Sequence, residues 1–197
     1  MSLFPPGVAP SPGALLHERS RPDFRDVFGQ LAGRSEAISV AVTRVRITTV
    51  DLTREELALV SSLRVLVAEL SALRLDGEAR ALRTEPRRSG NVAHLLEMLE
   101  SGRLEVRSAP LGGWSPDFTV FASGGAAHSV LTGFHWFERP YPHRGPALAS
   151  LHGGDAARLA AKRFEDVWSS AHDVGPAVWS IMARAEGGRS THVREAG

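Results

Sequence analysis

Apolar residues along this chain switch between two spacings, every third or fourth position and every second position. Phe24, Val27, Phe28 and Leu31 have helical spacing after Pro22-Asp23, and Gly33 supplies a stop. From 37 to 47 the pattern changes: Ile38, Val40, Val42, Val45 and Ile47 are β-branched and predict a strand. Thr53 with Glu56 forms a capping box that opens a short helix over 54–61. Leu63-Arg64-Val65-Leu66-Val67-Ala68 predicts a second strand. Strand, short crossover helix, strand is a βαβ unit and favours a parallel pair.

Helical spacing returns over 77–85, is broken by Pro86, and resumes over 91–101 with Leu95, Leu96, Met98 and Leu99 inward. Leu104-Glu105-Val106-Arg107 alternates as a strand. Strands over 118–122 and 128–132 flank Gly124-Gly125, which reads as a hairpin. A Pro-rich loop carries Pro140, Pro142 and Pro146, a strand follows over 147–151, and Gly153-Gly154-Asp155 opens the last long helix. Leu159, Phe164, Val167 and Trp168 lie on or near one stripe of that helix, and Val178, Trp179 and Met182 extend or follow it. The expected organisation is a Pro-rich flexible arm over 1–20, one domain over 21–185 and a polar flexible tail over 186–197.

Composition narrows the chemistry. With 197 residues, 43% hydrophobic and 23% charged, the chain suits one globular domain. A net charge of +1 provides no global field toward nucleic acid or an anionic membrane. There is no Cys, so thiolate nucleophiles, disulfides and cysteine-based metal sites are excluded. His128, His135 and His143 are too widely spaced for a short metal motif, so no metal or cofactor is expected. No apolar run reaches the roughly 20 residues of a membrane span, and a cytoplasmic protein is the expectation. Arg44 and Arg46 share one strand face, and Arg87-Arg88 adds charge. These make nucleic acid a weak partner candidate in the absence of an aromatic and basic stripe.

The stretch 114–173 runs strand, turn, strand, loop, strand, then a helix with Phe164-Glu165-Asp166-Val167-Trp168. This order, with Val130-Leu131-Thr132-Gly133 entering a turn, resembles the closing half of a phospholipase D-like domain. The resemblance covers about 24–173. It implies an α/β fold with a mixed, mostly parallel sheet of six or seven strands flanked by helices. It also implies a homodimer, because family members set two such halves face to face with the site at the seam. Family chemistry uses a His-x-Lys pair and a Gly-Ser-x-Asn turn, a nucleophile and cationic clamps on a phosphodiester. At the matching positions this chain has Ser115-Pro116-Asp117 and Gly133-Phe134-His135-Trp136. A carboxylate where a lysine belongs repels phosphate.

The expectation is therefore a non-catalytic domain that binds a ligand or a protein. Arg44, Arg46, Gly133 and Trp136 are its ligand-binding candidates. The alternative is a diverged phosphodiesterase or nuclease with catalytic candidates Ser115, Asp117 and His135, where His135 or Ser115 replaces the lost nucleophile. Asp117 with His135 would form a general-base pair if within reach of one another. A plainer alternative makes Ser115-Pro116-Asp117 a turn that starts a strand and His135-Trp136 a packed loop.

Overall fold

Eight strands and four helices follow from these patterns in a computed structural model, which describes residues 15–17, 24–43, 57, 59–68, 89–110, 117–133 and 148–194. The strands are β1 (Leu15–His17), β2 (Ala37–Val42), β3 (Ser62–Val67), β4 (Leu104–Ser108), β5 (Phe118–Ser123), β6 (Ala126–Thr132), β7 (Leu148–Gly153) and β8 (His172–Asp173). The helices are α1 (Phe24–Ala32), α2 (Ser89–Glu100), α3 (Asp155–Trp168) and α4 (Gly175–Arg194). One open sheet has the order β1-β7-β6-β5-β2-β3-β4-β8. The α/β class and the mixed sheet flanked by helices are as expected. Seven strands have three or more residues, and β8 is a two-residue edge. Parallel pairing occupies the middle, β2 with β3 and β3 with β4, and the remaining neighbours are antiparallel.

Period-two alternation sorts each strand onto two faces. Ile38, Val40 and Val42 of β2 and Leu63, Val65 and Val67 of β3 join Phe28 and Leu31 of α1, Met98 of α2, and Ile181 and Met182 of α4 in one core. Ala41, Leu66, Phe118, Val120 and Val130 face the other way, onto Ala157, Phe164 and Trp168 of α3. In the β5–β6 hairpin Gly124 and Gly125 both have positive φ, at 58° and 75°. A two-residue turn that matches the strand twist requires that pair of conformations, and glycine adopts them without a Cβ clash.

Helix α3 is fixed to the sheet by two arginines. Arg64 lies on the α3 side of β3. Its guanidinium donates to both carboxylate oxygens of Glu165, one contact at 3.0 Å, and to Ser39 Oγ at 3.2 Å. The same group lies 5.1 Å from the Phe164 ring centre and 5.4 Å from that of Trp168. Phe164 and Trp168 stack at 5.2 Å. Arg107 of β4 sits 4.6 Å from the Trp168 ring and donates to the Trp168 carbonyl at 3.1 Å. That carbonyl, at the helix end, also accepts from Ala171 N–H at 3.2 Å. The Phe164-Glu165-Asp166-Val167-Trp168 motif is the anchoring surface of this helix.

Three elements depart from the sequence pattern. Leu15–His17, inside the segment read as an arm, pairs antiparallel with β7. His172–Asp173 pairs with Arg107 and Ser108 of β4 and separates α3 from α4. Such short edge strands carry too few alternating positions to register as a pattern. Helix α4 continues to Arg194 through residues read as a polar tail. Its Ala183, Ala185, Glu186 and Arg189 are good helix formers, which offset Gly187 and Gly188. The helices expected over 54–61 and 77–85 lie largely or wholly outside the described residues.

Two substitutions test the anchor. Trp168→Ala should lower unfolding stability by about 3–5 kcal/mol, the usual cost of emptying a buried aromatic site. Arg64→Lys keeps the charge but loses the planar fork and should cost about 1 kcal/mol. Urea denaturation checks both. An Arg64→Lys midpoint equal to wild type would mean that charge alone holds α3.

Candidate functional site

The two edges of the sheet are built differently. Strands β2, β3 and β4 end together at one edge, where β5 starts opposite Ala41, β6 ends opposite Phe118 and β7 starts opposite the end of β6. Segments 18–23, 44–56, 69–88, 111–116 and 134–147 all begin or end at this carboxyl edge. The opposite edge is closed by short turns and dense hydrogen bonds. There Glu36 N–H donates to Ala122 O at 2.9 Å, Glu36 O accepts from Ser61 N–H at 2.8 Å, and Gly124 N–H donates to Glu36 Oε2 at 2.9 Å. Arg103 donates to the carbonyls of Leu57 and Val60. Loops gathered at the carboxyl ends of central strands are the usual ligand side of an open α/β sheet.

Asp117 stands at that carboxyl edge. Among the described residues other than glycine it alone has positive φ, 88°. A side chain is held in this left-handed region only when its surroundings over-determine it. Here the backbone does so from both sides. Asp117 N–H donates to Ala41 O at 2.8 Å, and Asp117 O accepts from Gly133 N–H at 3.2 Å. Gly133 itself has φ 86°. Asp117 is thus wedged between the end of β2 and the end of β6, with its side chain exposed. Thr43 Oγ1 donates to Asp117 Oδ1 across a long 3.4 Å. The arrangement holds a carboxylate and a hydroxyl at the mouth of the central strands, suited to accepting hydrogen bonds from a bound partner.

The sequence-derived candidates divide accordingly. Asp117 and Gly133 are brought together. Arg44, Arg46, Ser115, His135 and Trp136 lie outside the described residues. Along the chain Arg44 follows Thr43 directly, Ser115 is two residues before Asp117, and His135 is two residues after Gly133. Thr43 is the site residue that sequence reasoning missed. Its position at the end of β2 was the available signal. No group of three or more potential metal ligands occurs among the described residues. No helix there is long and apolar enough to cross a membrane.

No family model and no curated protein matches the chain. Among solved structures it is similar to TrmBL2, described as an archaeal chromatin protein with a novel mode of DNA binding, at a TM-score of 0.50 and 10% identity. The match covers 88% of this chain and 57% of that one, so this chain spans little more than half its length. At this identity the likeness concerns the fold.

If the left-handed conformation at 117 is held for a site, glycine there should relieve it. Asp117→Gly should raise the thermal midpoint, corresponding to a gain of up to about 1 kcal/mol. Asp117→Val should lower it, since a β-branched residue tolerates positive φ worst. A lower midpoint for the glycine variant would show that the carboxylate contacts outweigh the backbone strain.

Proposed function

We propose that this protein is a non-catalytic, phospholipase D-like domain that acts by binding a ligand or a protein at the carboxyl edge of its central strands, as a homodimer. The observation that carries the reading is Asp117, set at positive φ between Ala41 and Gly133 where the loop-bearing edge opens. In the family resemblance its position belongs to a phosphate-binding lysine. A carboxylate there opposes phosphoryl chemistry and favours a partner that presents hydrogen-bond donors. Ser115, His135, Trp136, Arg44 and Arg46 would complete the surface, since each is at most three residues along the chain from Thr43, Asp117 or Gly133.

Aromatic density supports contact with a protein, here a second copy. Trp114, Phe134, Trp136, Phe137 and Tyr141 all belong to the two segments that adjoin Asp117 and Gly133. Interface cores are enriched in such residues and in arginine. Nucleic acid is the weaker partner class, although one structural neighbour is a DNA-binding chromatin protein. On α3, Arg158 pairs with Asp155, Lys162 with Asp166 and Glu165 with Arg64. A helix face whose cations are matched by carboxylates makes a poor phosphate-binding surface.

Light scattering over a range of concentrations should give a mass twice the 21.2 kDa of the chain. Trp136→Ala should shift that equilibrium toward monomer by about tenfold or more, as for a central aromatic contact. A strict monomer at high concentration would remove the homodimer. Hydrolysis of a chromogenic phosphodiester, lost in His135→Ala or Ser115→Ala, would replace the binding reading with the phosphodiesterase one. Tight, salt-dependent binding of a short oligonucleotide would move nucleic acid to first place.

A further inference from the structure

The β5–β6 hairpin contains one irregularity. Phe121 pairs with Ser129 and Ala122 with Ala127, so His128 is an extra residue with no partner across the ladder. A bulge of this type re-aims the side chain it carries. The half-buried His128 ring reaches the turn after α1. Its Nε2 lies 3.1 Å from Ser35 Oγ, and its Nδ1 lies 3.0 Å from Ser129 Oγ. Ser35 and Ser129 are themselves buried.

Proton positions in this chain follow from counting donors. Ser35 Oγ is 2.6 Å from the carbonyl oxygen of Leu31. Two oxygens so close need a hydrogen between them, and a carbonyl has none to give. The single hydroxyl proton of Ser35 is therefore committed to Leu31. His128 must then donate from Nε2 to Ser35 Oγ, which leaves Nδ1 to accept from the hydroxyl of Ser129. The run Ser129 to His128 to Ser35 to Leu31 is directional and complete only with a neutral imidazole. Ser35 is thus not activated by this ring, since its proton points away from Nε2 toward Leu31.

We infer that the Ser129–His128–Ser35 chain is an acid-weakened latch that fastens the end of helix α1 to the β5–β6 hairpin. A second proton on the ring turns Nδ1 into a donor, and the Ser129 hydroxyl must swing round to accept. The resulting cation is partly shielded from water and lies near Arg34, which follows α1. Both burial, the larger cause, and the Arg34 charge lower the pKa of His128 below its ordinary 6.5. Two other charged groups along these elements have partners of their own. Glu36 at the head of β2 accepts from Gly124 N–H, and Asp155 beyond β7 pairs with Arg158. His152 of β7 lies opposite Val130. When the latch opens, the ring regains its ordinary pKa. Above pH 6.5 both forms are neutral and the latch is at full strength. As pH falls from 6.5 toward the lowered value, the open form takes up the proton first, so opening becomes easier.

Linkage sets the size of the effect. Between pH 7.5 and 5.5 the opening equilibrium can rise by no more than about tenfold. Amide hydrogen exchange of Gly33, Arg34 and Ser35, corrected for intrinsic rates, should lose protection over this range, by up to about tenfold. Val65 in the centre of the sheet should lose less. In His128→Gln the pH dependence at those three amides should disappear. An NMR titration of the wild-type protein provides a check that needs no variant. It should find the Nε2–H tautomer and a His128 midpoint below 6.5. An Nδ1–H tautomer, a midpoint at or above 6.5, or the same pH dependence in His128→Gln would overturn the latch.

Discussion

A guanidinium can be covered by a helix only if the helix brings it a counter-charge and a suitable surface, and α3 brings both to Arg64. Glu165 takes its N–H fork, and the stacked faces of Phe164 and Trp168 receive its planar side. Neither half would serve alone. A lone carboxylate would leave the arginine stem against water, and lone aromatics would leave its donors unbonded. Because Arg107 makes a second cation contact with Trp168 and also bonds its carbonyl, α3 is fixed in both position and rotation. Everything on that face of the sheet is covered with reference to this contact, from Leu66 under the ring pair to Ala157 at the start of the helix.

Fixing α3 on one face, and α1, α2 and α4 on the other, leaves the two sheet edges to differ. One edge is short turns knitted together by Glu36, Arg103 and the His128 chain. The other receives the long segments and holds Asp117 in a conformation that only neighbouring backbone can impose. Stability and strain are thus kept at opposite ends of the same strands, and a change at one end need not disturb the other. That separation is what lets an α/β sheet vary its binding surface while keeping its core.

Much of this was legible in the sequence because it depends on local repetition. The β-branched run of β2, the Gly124-Gly125 turn and the Phe164-to-Trp168 stripe each announce one element by spacing alone. The stripe could be read as an apolar anchor too, but not its partner, since nothing in the neighbourhood of Arg64 foretells a helix a hundred positions later. The short edges β1 and β8 were illegible, because two or three residues carry no period and their pairing is decided by β7 and β4. At the site, Asp117 and Gly133 were found by their motif positions. Their shared geometry was not, because positive φ at an aspartate is imposed by backbone hydrogen bonds to Ala41 and from Gly133 rather than by any local preference. Thr43 was missed for the same reason: only the pairing of β2 with β5 brings it beside Asp117.

The contact between Arg64 and Glu165 joins residues 101 positions apart. Closing so large a loop costs entropy before any packing is gained. The βαβ core of β2, β3 and β4 can form early from neighbouring segments, but its α3 face stays bare until the last third of the chain arrives. A ribosome making this protein therefore exposes a sheet surface with Arg64, Leu66 and Val120 uncovered while residues beyond 150 are still being added. The order of synthesis, as much as the final structure, makes the Phe164–Trp168 pair the piece that ends the protein's exposure to aggregation.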